Sequence, residues 1–285
     1  MRKRQPELFM LIGDPVEGTL SPLIFNTAFR RLGMNAIYAA VRVPLSILSE
    51  FVFTIRRAGI RGFNVTIPHK VAIIELLDSL DESAKEVEAV NTVVNEDGKL
   101  IGYNTDGHGA LMALEKEIGS VNGKRVLLLG AGGAARAVAF SLAKAGCELT
   151  IANRTLSKAE ALAEIISKKL GKSVGVISLD REKLREEISR ADILVNTTSV
   201  GMMPNVDETL VTSDLMHKNL VVYDIVYKPL KTRLLKEAEK VGARTVNGLG
   251  MLINQAAIAF KIWTGKDAPV EDMKRAVQEY LEGKR

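Results

Sequence analysis

The chain has 285 residues, 47% of them hydrophobic, enough for two packed cores and too many to sit comfortably in one ordinary domain. Lys and Arg number 39 against 34 Asp and Glu, a net charge of +5 in which Arg2, Lys3 and Arg4 supply three positives. With aromatics at 5% and no long internal basic run, nucleic acid is excluded as a partner. The single cysteine, Cys147, excludes an intramolecular disulfide and fits a reducing compartment. The apolar LFMLIG after the basic start is too short for a signal-peptide core, and no apolar run reaches the roughly 18 residues of a membrane helix. A cytoplasmic protein without a membrane partner is therefore expected. His69, His108 and His217 have no ligand spacing, so no metal is expected.

In chain order, LFMLIG reads as a strand, and Ser21-Pro22 opens a helix, with Ser21 as N-cap and Gly33 beyond the end. AIYAAVRV reads as a second strand, SILSEFVFTIRRAG as a helix stopped by Gly59, and IRGFNVTI as a third strand leading into a helix at Pro68. AVNTVVNEDGKLIGYNT predicts a hairpin, because Asp97-Gly98 separates two β-branched runs. A first domain then ends near residue 105. HGALMALEKEIG is a helical connector, and KRVLLLG begins a second α/β unit with the continuous apolar run of a parallel strand buried on both faces. CELTIAN, VGVISL, ADILVNT and LVVYDIV continue it, five strands in all, with amphipathic helices such as LSKAEALAEIISKKLG between them. Cys147 starts one of these strands as filler. From Gly248 two helices, MLINQAAIAFKIWTG and PVEDMKRAVQEYLEG, follow without a further strand. The expected architecture is α/β with two α/β domains: residues 1–105 plus 248–285, and residues 106–247 as a doubly wound, Rossmann-like domain.

Gly130, Ala131, Gly132, Gly133, Ala134 and Ala135 fit G-x-G-x-x-G/A directly after a strand and before a helix running to about Ala145. Glycine permits the tight turn and the close approach of a pyrophosphate, to which the helix N-terminus offers N–H groups. A glycine-rich turn without a ligand is the plain alternative; the βαβ context favours a dinucleotide. About 20 residues on, where an NAD-binding unit carries an acid, stand Asn153, Arg154 and Thr155. Arg154 can pair with a 2′-phosphate and stack on adenine, and Lys158 adds charge one turn later, so NADP is the expected cofactor. The bland alternative for Arg154 is a solvated loop arginine.

Two further clusters, Asn64 to Lys70 (NVTIPHK) and Asn104 to Gly107 (NTDG), sit where elements of the first domain end and helices begin. With GDPVEGTLSP, AVNT, GAGGAARA, NRT, NTTSVGM, DIVYKP and NGLGMLINQA, they give a pattern that resembles the shikimate dehydrogenase family over nearly the whole chain. The resemblance implies NADP-dependent interconversion of 3-dehydroshikimate and shikimate, with Lys70 and Asp106 as the catalytic pair. The chemistry suits them: hydride delivery to a ketone leaves charge on oxygen that an ammonium can stabilise and protonate, while Asp106 orients the ammonium and a substrate hydroxyl. A lysine in the first turn of a helix also feels its dipole. A solvated Lys70 and a simple helix cap at Asp106 are the structural alternatives.

The same resemblance implies that Thr19 and Ser21 meet the substrate carboxylate with Tyr227 nearby, and that Thr66, Asn91 and Gln255 read the ring hydroxyls and ketone region. It places Gly248 and Met251 beside the nicotinamide, Thr197 and Ile225 on the cofactor, and Glu82 among the cofactor residues. The family's usual His-Ser-Leu-Ser-Pro is here Gly18-Thr19-Leu20-Ser21-Pro22, which leaves open a quinate/shikimate dehydrogenase of broader specificity. A catalytically silent NADP-binding module, or one using its basic first residues on a partner, is the alternative from another class. A cleft that closes on its ligands is expected. A homodimer stands among the open assembly states.

Overall fold

A computed structural model describes residues 5–283; Arg2, Lys3 and Arg4 lie outside them. The chain divides into two compact units, one running up to Thr105 and resuming at Ile253, the other Asp106–Leu252. The first unit contains β1 (Glu7–Gly13), α1 (Ser21–Arg31), β2 (Ala36–Arg42), α2 (Leu48–Arg57), β3 (Ile60–Val65), α3 (His69–Ala72), β4 (Ser79–Leu80), α4 (Glu82–Val87), β5 (Thr92–Glu96) and β6 (Lys99–Tyr103). Its sheet has the order β2-β1-β3-β5-β6-β4. β1 pairs in parallel with β2 and β3, whereas β5 runs antiparallel to β3 and β6. The hairpin follows from local chemistry: Glu96 faces Lys99, and Asp97 and Gly98 both take positive φ, 51° and 96°, the conformation a two-residue turn demands.

Two expectations for this unit need correction. Ser21 is the first residue of α1 and Leu20 its N-cap, without a side-chain cap bond. Pro22 fixes the backbone one position later than a Ser cap with Pro at N1 requires. The helix carrying Lys70 is a single turn, α3, which tightens at once into the 3-10 turn Ile73–Leu76. Four residues align too few peptide dipoles for a macrodipole argument to apply to Lys70. The two-residue β4 was not foreseen, since a pair of residues carries no periodicity.

The second unit contains α5 (Asp106–Ile118), β7 (Arg125–Leu129), α6 (Gly133–Lys144), β8 (Glu148–Ala152), α7 (Leu156–Leu170), β9 (Val174–Ile177), α8 (Arg181–Arg190), β10 (Ile193–Asn196), β11 (Val221–Asp224), α9 (Arg233–Lys240) and β12 (Arg244–Val246). All its strands are parallel, in the order β12-β11-β10-β7-β8-β9. The sheet has six strands rather than the expected five. The sixth, Arg-Thr-Val, is too short and mixed to read from its pattern, and is held by its register on β11, with Thr245 opposite Val222. The chain enters at the centre on β7, proceeds outward to β9, and crosses back to β10, so the strand order reverses between β7 and β10. Leu127, Leu129, Leu194 and Val222 form the floor on which Leu184, Ile188, Leu234 and Leu235 of α8 and α9 pack.

The final helices are α10 (Leu249–Thr264) and α11 (Val270–Leu281). Trp263 of α10 packs with Phe9, Phe25 and Tyr38, and its indole N–H donates to the Val93 carbonyl at 2.9 Å. A Cβ on Gly62 would lie 2.4 Å from that indole nitrogen, so only glycine in β3 leaves the ring its seat. This burial of aromatic surface is why the C-terminal helices complete the first unit.

Candidate active site

In the first unit, the loop after β1 and the residues after β3 leave the same edge of the sheet. They are laced together: Thr66 N donates to Ile12 O and Asp14 N to Ile67 O, each at 2.9 Å. Thr19 Oγ1 lies 3.3 Å from Ser21 Oγ and accepts from Ser21 N at 3.3 Å. Ser21 is buried, Thr19 and Thr66 half-buried.

Behind them runs a polar network whose direction can be worked out. The Asn91 carbonyl can only accept, so the Asn64 Nδ2 that reaches it at 3.1 Å fixes that amide's orientation. Asn64 Oδ1 therefore faces the Tyr38 hydroxyl, which must donate to it at 2.7 Å. The Tyr38 oxygen then accepts from Ser21, a bond that offsets part of the strong upward push of burial on the Tyr38 hydroxyl. Asn64 Nδ2 also meets Thr92 Oγ1 at 3.0 Å, and Thr92 donates to Asn91 Oδ1 at 2.9 Å. Asn91 Nδ2 donates to Thr105 Oγ1 and Asn91 Oδ1 accepts from Thr105 N, both at 2.9 Å. Ser21 and Asn91, assigned to opposite ends of the substrate, are thus joined through Tyr38 and Asn64.

Lys70 is half-buried and clamped through its backbone. Its carbonyl accepts from Val90 N at 2.7 Å, and the buried His69 ring before it places Nε2 2.6 Å from the Val43 carbonyl. Gln255 is half-buried on α10. Glu82 begins α4 in the open and pairs with Lys85 at 2.5 Å.

In the second unit, Gly130 follows β7 with φ 111° and donates to Ala152 O at 2.8 Å. A Cβ there would come within 2.9 Å of Thr197 Oγ1 and 3.0 Å of Thr198 Cγ2. Gly132 is the N-cap of α6, with no side-chain cap bond, and a Cβ on it would meet nothing within 4 Å. Ala131, Gly133 and Ala134 complete this turn, half-buried. The neighbouring strand β8 is followed by Asn153, whose side chain donates to Thr155 O at 2.8 Å; Thr155 is the N-cap of α7. Arg154 and Lys158 are exposed there, and the first turn of α7 has no acid.

Thr197 closes the other side of the glycine turn, donating through Oγ1 to Leu129 O at 2.6 Å. Its predecessor Asn196 donates through Nδ2 to Asp224 Oδ1 at 3.0 Å, and Ile225 N donates to Asn196 O at 3.1 Å. Gly248 N reaches Val226 O at 3.3 Å, so these strand-end loops brace one another. Met251 is buried on α10, and burial raises the hydroxyl of half-buried Tyr227 above its ordinary value. Asp106, the first residue of α5, is 5% exposed.

A relative from Methanopyrus kandleri, described as shikimate dehydrogenase (NADP(+)), is 52% identical over 274 residues, 95% of this chain and 94% of the relative. The chain belongs to the shikimate dehydrogenase family. Residues 11–93 match the shikimate dehydrogenase substrate binding domain, residues 112–229 the shikimate/quinate 5-dehydrogenase model, and residues 248–278 the shikimate 5′-dehydrogenase C-terminal domain. A second shikimate dehydrogenase (NADP(+)), from Methanocaldococcus jannaschii, is 51% identical over 268 residues, covering 94% of each chain. A crystal structure of a shikimate dehydrogenase in complex with NADP+ superposes with a TM-score of 0.94 at 49% identity, covering 99% of this chain and 98% of that one.

As a shikimate dehydrogenase family member, this chain has residues that fit a phosphorylated dinucleotide. Its glycine turn is open where the helix N–H groups emerge, and the loop after the next strand and the first turn of α7 carry two cations, Arg154 and Lys158, and no acid. Sequence reading missed Tyr38, Thr92 and Asp224 and gave Asn64 and Thr105 no individual role. Asn64 lay inside NVTIPHK and Asp224 inside DIVYKP, but Tyr38 and Asn91, which bind Asn64, and Asn196, which binds Asp224, lie 26 to 28 positions away, beyond any local pattern.

Proposed function

We propose that the protein reduces 3-dehydroshikimate to shikimate, reversibly, with NADPH, as a step of the shikimate pathway toward chorismate and the aromatic amino acids. Identity of about half to NADP-dependent shikimate dehydrogenases along nearly their full length carries this reading. The first unit serves as the substrate domain and the second as the NADP domain. When bound, NADPH supplies the hydride that reaches the carbonyl carbon. Lys70 Nζ stabilises the charge that develops on the carbonyl oxygen and delivers its proton there, which completes the alcohol. Asp106 accepts a hydrogen bond from a hydroxyl of the substrate.

Thr19 and Ser21 receive the carboxylate, with Tyr227 beside it. Because the Ser21 proton is committed to Tyr38, its hydroxyl must turn outward to donate to that carboxylate. Thr66, Asn91 and Gln255 read the ring hydroxyls; Asn91 is already oriented by Thr92 and Thr105. Neutral donors and acceptors fixed by their neighbours suit a small polyol acid, since an analogue lacking one hydroxyl leaves a polar group unpaired. Gly130 through Ala134 and the start of α6 hold the pyrophosphate. Asn153, Arg154, Thr155 and Lys158 take the 2′-phosphate end, and Thr197, Ile225, Gly248 and Met251 border the nicotinamide, with Glu82 a further cofactor residue. The same reading puts the reaction in the cytoplasm and limits the ligands to small molecules, with a homodimer as one assembly state. No helix among the described residues is long and apolar enough to cross a membrane.

The test is NADPH oxidation followed by absorbance on addition of 3-dehydroshikimate, with shikimate and quinate compared as substrates for NADP+ reduction. Turnover that depends on 3-dehydroshikimate, and a higher kcat/KM for shikimate than for quinate, are expected. Folded protein that binds NADPH and gives no such turnover would overturn the substrate assignment.

A further inference from the structure

Asp224 is fully enclosed at the C-terminal end of β11. Its Oδ1 accepts from Asn196 Nδ2 and from Val226 N, both at 3.0 Å, and its Oδ2 from Thr232 Oγ1 at 2.6 Å. All three donors are neutral, and no cation pairs with it among the described residues. Burial outweighs these bonds and pushes the carboxyl up to about 6, so at neutral pH it is ionised and unneutralised. A buried charge in that state is costly.

The hydrogen bonding does not require the charge. Asn196 Nδ2 and Val226 N converge on one oxygen, which an amide oxygen can replace, and the Thr232 hydroxyl, which already accepts from Leu235 N at 3.4 Å, keeps a second lone pair for an amide donor. A neutral side chain could tie these loops, so the negative charge itself calls for an explanation. The position suggests one. Asn196, the direct partner of Asp224, precedes Thr197, the residue against which Gly130 is packed too closely for a Cβ. In a doubly wound sheet the dinucleotide lies outside the carboxyl ends of the strands at the switch point, here between β7 and β10. β11 lies beyond β10 on the side away from β8, in the half that takes the nicotinamide. The oxidised nicotinamide ring carries one more positive charge than the reduced ring.

Resting on the NADP reading above, we infer that the Asp224 carboxylate sets the charge preference of the nicotinamide side, favouring cationic NADP+ over NADPH. Linkage then makes bound NADPH a stronger hydride donor by the same factor. A tenfold preference corresponds to about 30 mV for the two-electron couple. Asp224 acts at a distance, as a positioning residue for the strand-end loops and a source of field, without touching the reacting atoms.

Titration calorimetry at pH 8 with NADP+ and NADPH, each alone, on the wild type and Asp224→Asn tests the inference without any turnover. The variant should weaken NADP+ about tenfold and NADPH less than about twofold. Equal weakening of both, or an unchanged ratio, would mean that Asp224 only braces the loops, and would overturn the inference. Should the asparagine variant not fold, Asp224→Ser, which leaves room for a water among the same donors, carries the same comparison. Absence of 3-dehydroshikimate turnover in a protein that binds both nucleotides sinks the substrate assignment alone; failure to bind either sinks the cofactor reading and this inference together.

Discussion

The two units solve opposite recognition problems with opposite materials. In the first, candidate binding groups are side chains whose donors and acceptors are locked by other side chains, from Ser21 through Tyr38 and Asn64 to Asn91 and Thr105. In the second, the central elements are backbone, an open glycine turn and an uncapped helix start, with one enclosed side-chain carboxylate added to them. A small polyol acid is distinguished by where its hydroxyls lie, which requires oriented side chains. A pyrophosphate is satisfied by N–H groups that any sequence supplies, provided that nothing blocks them.

The sharpest way to separate the units is Lys70→Ala. It should lower kcat for 3-dehydroshikimate about a thousandfold while NADPH affinity, measured by calorimetry, stays within about twofold; an unchanged kcat removes Lys70 from the chemistry. Next, Asn64→Leu deprives the Tyr38 hydroxyl of its acceptor at similar volume. Denaturant unfolding should show a loss of about 2 kcal/mol, and the KM for shikimate should rise with NADPH binding intact. A loss shared equally by both ligands would show that the network does not belong to one of them.

In the second unit, Arg154→Ala should weaken NADPH about tenfold and leave NADH nearly unchanged, a modest effect because the guanidinium is exposed. Equal effects on the two nucleotides would reject a 2′-phosphate clamp. The smallest expected effect is a slope. The carboxyl of Asp224 lies at about 6 in the fold against an ordinary 3.8, so between these values the folded protein binds the extra proton. Its ionisation penalises the fold above pH 6, and the penalty is relieved as pH falls. Between pH 8 and pH 5 the wild type should therefore gain about 1 kcal/mol relative to Asp224→Asn, read from paired unfolding curves. A constant difference would show that the carboxyl titrates normally.

How legible each region was follows from the same contrast. The glycine turn and the loop into α7 could be located directly, because backbone requirements leave local marks: glycine where φ is 111°, and a first turn of α7 without an acid. The hairpin was equally plain from Asp97-Gly98. β4 and β12 were not, since two or three residues carry no periodicity and owe their existence to a neighbouring strand. Ser21 was misplaced by one position because Ser-Pro is a strong cap signal whichever residue the chain uses. Tyr38 is a β-forming aromatic in a strand, and nothing nearby says that its hydroxyl must find Asn64. Asp224 likewise looks like a strand terminus until Asn196, Val226 and Thr232 are seen to converge on it.

The indole seat at Gly62 bears on how the molecule is made. Because Trp263 and Phe260 plug the aromatic cluster of Phe9, Phe25 and Phe29, the segment that carries these phenylalanines cannot close its own interior until α10, far downstream, has been synthesised. Asp106–Leu252 is complete before then, so the nascent chain carries a finished domain alongside an unfinished one whose phenylalanines wait for their lid. During that interval the protein is most exposed to aggregation, and truncations that remove α10 should be cleared by proteolysis rather than accumulate as half-molecules.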